Sequence, residues 1–115
     1  MALLSSHFLN GTDGTHAGNV TVSLWRIGEG TERHLVFKSQ SEADGRFAEE
    51  VAVDTDAHYE MVVDSGAYFR GRAPRQDSLQ ICEEIVIRFR MTDPDRQYHI
   101  PIIMSPNSYS CWWSS

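Results

Sequence analysis

Two histidines and one arginine are the side chains in this sequence best suited to acid–base chemistry. His7 lies near the start of the chain, Arg46 directly follows an Asp-Gly pair, and His99 precedes a proline. A neutral imidazole can deprotonate water, and a guanidinium can stabilise a developing oxyanion or hold a planar anionic group. Taken singly, each is more often an ordinary surface residue, so a hydrolytic site requires that the fold bring the three together.

Other catalytic and metal-binding patterns are missing from the sequence. It contains no Cys-x-x-Cys, His-Glu-x-x-His, Gly-x-Ser-x-Gly or phosphate-loop motif, and its five histidines are never two or four residues apart. The acid pairs Asp54/Asp56 and Glu83/Glu84 flank predicted strands and are interpreted as solvated strand ends. We therefore expect neither a metal nor any other cofactor.

Length and charge limit the possible architectures and partners. The 115 residues, 41% of them apolar, predict a single domain over 1–115. A net charge of -6 argues against a nucleic-acid partner, and apolar runs of only a few residues argue against a membrane span. The start has no basic n-region and the two cysteines are isolated, so we expect a cytoplasmic protein with a small-molecule substrate or a protein partner.

Apolar residues alternate with polar ones along most of the chain, which predicts an all-β fold. The expected fold is an antiparallel sandwich of two sheets with about eight strands and one short helix near residues 66–72. The predicted strands are 3–10, 20–27, 34–39, 47–53, 59–64, 85–91, 98–104 and 108–113. Asp44-Gly45 predicts a tight hairpin turn between the third and fourth of these strands.

The same alternation sorts the candidate site residues by face. His99 falls opposite the apolar Tyr98 and Ile100, so it faces solvent or a partner, beside Pro101, which weakens the ladder of that strand. His7 shares a face with Leu3, Ser5 and Leu9. The adjacent Trp112 and Trp113 must point to opposite faces, so at least one is expected to meet a ligand or a subunit.

Five short segments, in this order and at these spacings, match one known family. They are Leu4-Ser5-Ser6-His7, Val22-Ser23-Leu24-Trp25-Arg26, Ala43-Asp44-Gly45-Arg46, Gly66-Ala67-Tyr68-Phe69 and Tyr98-His99-Ile100-Pro101. Over nearly its whole length the chain resembles the transthyretin-like proteins that act as 5-hydroxyisourate hydrolases. The resemblance implies a sandwich that assembles into a homotetramer, with active sites in the channel where dimers meet.

The resemblance also implies roles for individual residues in opening the ring of the oxidised purine without a metal. His7 and His99 would position and deprotonate water, and Arg46 would hold the substrate and offset charge on the attacked carbonyl. The hormone-carrying transthyretins lack this set of three.

The C-terminus departs from the family pattern. Family hydrolases end in Tyr-Arg-Gly-Ser, which helps to form the substrate pocket, whereas this chain ends in Trp112-Trp113-Ser114-Ser115. Replacing Arg by Trp removes a charged multi-donor group and adds an apolar face. Trp112, Trp113 and Ser115 are therefore candidate substrate-binding residues, and the substrate is either an N-methylated hydroxyisourate, as arises from methylxanthines, or plain hydroxyisourate in a variant pocket.

Two other readings of the sequence remain open. The channel could bind a hydrophobic aromatic ligand without turnover, as in the hormone carriers, although a carrier needs none of His7, Arg46 and His99. Alternatively, the two tryptophans could serve only to bury a subunit interface.

Overall fold

The computed structural model describes residues 1–72 and 79–114, and within them the chain forms ten strands and one helix. The strands are β1 Ala2–Asn10, β2 Thr15–His16, β3 Thr21–Ile27, β4 Arg33–Gln40, β5 Arg46–Val51, β6 His58–Val63, β7 Ile85–Phe89, β8 Gln97–His99, β9 Ile102–Ser105 and β10 Ser108–Cys111. The helix, α1, spans Ser65–Arg70 and begins where the Asp64 side chain accepts a hydrogen bond from Ala67 N. The all-β prediction with one short helix is confirmed.

The predicted count of about eight strands is two too low. The two-residue strand β2 carries too short a pattern to be recognised from sequence. The predicted strand 98–104 is interrupted at Ile100 and Pro101, which separates β8 from β9, because proline has no N–H to donate to the ladder.

The first sheet is arranged around β1. On one side β5 pairs with residues Ala2 to His7 and β2 with Leu9 and Asn10, both antiparallel. On the other side β8 and β9 pair with β1 in parallel, and β10 pairs with β9. The sandwich is therefore not purely antiparallel as predicted. The second sheet has the order β4-β3-β6-β7 and is antiparallel throughout.

Burial along β1 follows strict alternation. Ala2, Leu4, Ser6, Phe8 and Asn10 are buried, and the residues between them are half-buried on the outer face. The buried side chains pack against the inner face of the second sheet, where Val22, Leu24, Met61 and Val63 are fully buried. One face of β1 thus belongs to the core and the other is available for the site.

A buried hydroxyl fixes the point at which β8 gives way to β9. Ser6 Oγ donates a hydrogen bond to Ile100 O at 2.5 Å, and Ile100 N donates to Ser5 O at 2.9 Å. Both backbone groups of Ile100 are therefore bonded to β1 although the ladder breaks at Pro101. This anchor sets the position of His99, the preceding residue.

The predicted hairpin between residues 34–39 and 47–53 is wrong, although the turn itself forms. Gly45 has φ +84°, and Glu42 N donates to Arg46 O at 2.9 Å. The flanking strands β4 and β5 nevertheless lie in different sheets. Buried Ser41 redirects the chain, because its N–H donates to Val20 O and its Oγ accepts from Val20 N. An Asp-Gly turn specifies a reversal of direction but not the strand that pairs afterwards.

We expect Gly45→Ala to be far more destabilising than Gly14→Ala. Both glycines have positive φ, which costs an alanine about 1 kcal/mol. A Cβ at Gly14 meets nothing within 4 Å, whereas one at Gly45 would collide with the Phe8 carbonyl, so the loss there should be about 3 kcal/mol or more. Urea unfolding of both variants measures the difference, and equal losses would contradict the close approach of the turn to β1.

Candidate active site

The outer face of β1 brings the three predicted residues to one region. In the Cα register, His7 lies directly opposite Arg46 on β5, and Ser5 lies opposite His99 on β8. Ser5 and His7 are two residues apart on the same face, a separation of roughly 7 Å along a strand. His7, Arg46 and His99 therefore come from three adjacent strands and share one face of the first sheet.

His99 is held from two directions. Its Nδ1 lies 2.9 Å from Ser5 Oγ, within hydrogen-bond distance. Its backbone exchanges two hydrogen bonds with Ser114: His99 N donates to Ser114 O at 3.1 Å, and Ser114 N donates to His99 O at 2.8 Å. The C-terminal segment thus pairs with the edge of the strand that carries His99, and His99 is half-buried.

Arg46 follows the turn and remains free to reach a ligand. Asp44 Oδ1 accepts a hydrogen bond from Arg46 N at 3.1 Å, which shapes the turn, and Asp44 Oδ2 lies 3.8 Å from Arg46 Nε. The arginine side chain is 61% exposed, and an ion pair of this length on the surface contributes little to the free energy of folding. Its guanidinium can therefore turn to a carbonyl or anionic group of a ligand without a large loss.

His7 is the titratable group whose environment most favours a neutral base. Its Nε2 lies 3.0 Å from Asp44 O and 2.9 Å from His16 Nδ1. Partial burial, followed by the positive charge of Arg46, lowers the pKa of His7 below 6.5, and the contact with the Asp44 carbonyl offsets part of that shift. The imidazole is therefore neutral at pH 7 and able to accept a proton.

A groove of about 480 Å³ runs along this face between the Arg46 turn and the C-terminal segment. Its lining includes Ser5, Asp44, Arg46, Gln97, His99 and Ser114. His7 lies next to it on β1, opposite Arg46, and does not line it. The groove has the size of a small-molecule site and brings a cation and an imidazole to its walls.

A second groove of similar size, about 490 Å³, lies on the outer face of the other sheet. Two of its charged side chains, Glu60 and Arg33, are engaged with each other: Glu60 lies 3.6 Å from Arg33 Nε and 3.4 Å from Arg88 Nη2, and the Arg33 guanidinium covers the Trp25 ring at 4.7 Å. No histidine lines it among the described residues. Of these two grooves, the one beside β1 is therefore the one that offers an imidazole for acid–base chemistry.

The structure does not place the C-terminal candidates Trp112 and Trp113 in the lining of the groove. Trp113 packs edge-on against Tyr98 with ring centroids 6.0 Å apart, and Trp112 N donates to Pro101 O at 3.4 Å. Trp112 is 47% exposed and Trp113 is 53% exposed, and neither lines the groove. Ser114 lines it instead, and Ser115 lies outside the described residues.

Sequence reasoning missed three groups that contact the predicted residues. Ser5 was assigned only to a face, Asp44 only to a turn, and His16 only to a set of dispersed histidines. The turn residues Gly11 and Gly14 could have indicated that the chain doubles back along β1, which is how β2 brings His16 to His7. Nothing in the spacing of Asp44 indicates that its carbonyl would meet an imidazole.

Comparisons with known proteins find relatives over nearly the whole chain. A sequence profile described as the HIUase/Transthyretin family matches residues 4–113. A relative from Pseudomonas aeruginosa named 5-hydroxyisourate hydrolase is 29% identical over 100% of this chain and 93% of its own length. The solved structure of Klebsiella pneumoniae 5-hydroxyisourate hydrolase is 29% identical, with a TM-score of 0.77 and full coverage of both chains.

A transthyretin shares the fold as well. The structure of sea bream transthyretin in complex with thyroxine superposes with a TM-score of 0.77, covering 96% of this chain and 93% of its own. Its sequence identity is 21%, so this likeness concerns the fold alone.

Among the described residues, no helix is long and apolar enough to cross a membrane.

Proposed function

The chain belongs to the HIUase/transthyretin family, and we propose that it is a hydroxyisourate hydrolase whose pocket favours an N-methylated substrate. The observation that supports catalysis most is the register of β1, which sets His7 opposite Arg46 and places His99 beside Ser5 on the same face. Relatives named 5-hydroxyisourate hydrolase align over nearly the whole chain, including one from Rhizobium meliloti at 32% identity. This reaction belongs to the degradation of oxidised purines.

In the proposed reaction, water attacks the ring acyl carbon, a C–O bond forms and the acyl C–N bond breaks. His7 and His99 position the water and accept its proton, which then passes to the leaving nitrogen. Arg46 contacts the carbonyl oxygen and offsets its developing negative charge. Every role falls to a side chain of this protein, so the reaction as proposed needs no metal.

The preference for a methylated substrate is inferred from the C-terminus. Two indoles, about half exposed, stand where the hydrolase pattern has Tyr and Arg. A guanidinium offers several donors to the polar edge of an unmethylated ring, whereas an indole offers one donor and a broad apolar surface. N-methyl groups replace ring N–H donors, which would lose hydrogen bonds to water against an apolar surface, so a methylated edge costs less to bury beside indole and packs better on it.

The proposal includes assembly into a homotetramer in which the groove faces another copy. The groove is open on the outer face of a sheet in the single chain, and neither Trp112 nor Trp113 is covered. Burial of such aromatic side chains is typical of subunit interfaces.

The test follows the ultraviolet decay of freshly generated trimethyl-hydroxyisourate and of plain hydroxyisourate, with and without protein. We expect wild-type protein to accelerate both, and the methylated compound at least tenfold more in kcat/KM. The kcat/KM of His99→Ala should fall roughly 10²- to 10⁴-fold because the substitution removes a proton acceptor. The matched control is His58→Ala, an exposed histidine at the start of β6, which should behave as wild type.

If both compounds decay at their spontaneous rates with wild-type protein, the chain is not a hydrolase of this class. Retained binding of an aromatic ligand by His99→Ala would then favour the carrier alternative.

The specificity part is tested separately with Trp113→Arg. Restoring the guanidinium should shift the ratio of kcat/KM values toward plain hydroxyisourate by about tenfold, the effect of one hydrogen bond to a charged group. Tyr109→Arg, at an aromatic residue of β10 that is 49% exposed and lies before the C-terminal Trp-Trp pair, is the control and should leave the ratio unchanged. A Trp113→Arg protein that loses its tetramer by light scattering but keeps its substrate ratio would show that this indole serves assembly and not specificity.

A further inference from the structure

His16 is a histidine next to the site to which no role has been given so far. It ends the short strand β2, whose register places it opposite Leu9, diagonal to His7 on β1. His16 Nδ1 lies 2.9 Å from His7 Nε2, and the two ring centroids are 5.0 Å apart at an interplanar angle of 27°. These distances place the rings edge to edge and nearly coplanar, as a hydrogen bond between two ring nitrogens requires.

The position of the hydrogen on His7 follows from its other neighbour. The Asp44 carbonyl oxygen can only accept a hydrogen bond, and it lies 3.0 Å from the same Nε2. In that bond, Nε2 of His7 carries the hydrogen. A neutral His7 then has its lone pair on Nδ1, so Nδ1 is the atom able to take a proton from water.

The contact with His16 fits only one protonation state of the second ring. With a hydrogen already on His7 Nε2, His16 Nδ1 must accept, and its own hydrogen must be on Nε2. A protonated His16 would direct one N–H group at another. A neutral His16 and the Asp44 carbonyl thus share one N–H of His7 between two acceptors.

We propose that His16 is a positioning residue for His7. Together with the Asp44 carbonyl, it holds the His7 ring in one orientation and in the tautomer with hydrogen on Nε2, which keeps Nδ1 available as the base. The second acceptor limits rotation of the ring, and it makes the tautomer with hydrogen on Nδ1 leave two acceptors unpaired. The catalytic part of this inference rests on the proposed hydrolase function, but the tautomer does not.

The charged and titratable groups around His7 come from three parts of the chain. They are Arg46 on β5, Asp44 in the preceding turn and His16 on β2. Arg46 acts on the His7 ring by charge alone and makes no hydrogen bond with it. The Asp44 contact uses main-chain oxygen, so His16 is the side chain of the three whose substitution can change the hydrogen bonding of His7 directly.

The experiment compares His16→Asn with His16→Leu. Asparagine keeps an acceptor oxygen close to the position of Nδ1, whereas leucine fills similar space without one. We expect kcat of His16→Leu to fall about tenfold at unchanged KM, well below the ~10⁴-fold loss of a base forced into the wrong tautomer, because the Asp44 carbonyl remains. His16→Asn should retain most of the activity, and the exposed control His34→Leu on β4 should match wild type.

A second measurement is independent of turnover. Long-range ¹H–¹⁵N NMR of the histidine rings should show His7 with hydrogen on Nε2 in wild type and His16→Asn, and a mixture of tautomers in His16→Leu. Wild-type His7 with hydrogen on Nδ1 would overturn the proposal without any variant. Equal losses of kcat in the Asn and Leu variants, or no loss in either, would also overturn it.

If wild-type protein hydrolyses neither compound, the proposed function fails while the NMR result still decides the tautomer. The two failures are therefore distinguishable.

Discussion

The alternation of β1 is the constraint from which both the core and the site derive. Its even-numbered residues, from Ala2 to Asn10, are buried, and its odd-numbered residues face outward. A slip of one residue would place His7 in the core and Phe8 on the surface. The register is held on both sides, by six paired residues with β5 and by the bonds of Ser5 and Ser6 to Ile100. The strand pairing and hydrogen bonds that stabilise the fold therefore also fix the geometry of the site.

Much of this arrangement could be predicted from the sequence, because period-two alternation is a local property. It correctly assigned His99 to an outward face, placed His7 on the same face as Ser5, and recognised the turn before Arg46. It could not say which strands become neighbours. The chain from β4 to β5 reverses at Asp44-Gly45 but crosses between sheets, since Ser41 bonds to Val20 and not to a hairpin partner. The parallel pairing of β1 with β8, 94 residues away at Ser5 and His99, is likewise invisible to local patterns.

The contacts that refine the site were the hardest to foresee. A main-chain carbonyl at Asp44 and the ring of His16 approach His7 only because β5 and β2 follow one another along the same side of β1. The side-chain type of residue 44 does not reveal where its main-chain carbonyl lies. The nine-residue separation of His7 and His16 matches no metal or catalytic motif. Here the backbone path, and not side-chain identity, decides which groups meet.

The site thus has two parts, which are held in place by different contacts. His7, Arg46 and His99 are set by strand register. The C-terminal segment is attached by the bridge between His99 and Ser114, a hydrogen bond from Trp112 N and the packing of Trp113 on Tyr98. Substitutions in that segment can change what the groove accepts while the ladder around β1 is preserved. The proposed preference for a methylated substrate therefore requires changes in this segment only and none in the strands around β1.

A double-mutant cycle on His7 and His99 asks most directly whether this face works as one unit. Single alanine variants, the double variant and wild type are compared by kcat/KM on the preferred substrate. Groups that act in one proton-transfer step are strongly non-additive, so the double variant should lose little more than the worse of the two single variants. Losses that multiply would mean that the two histidines act independently, and would contradict a common site built on the outer face of β1.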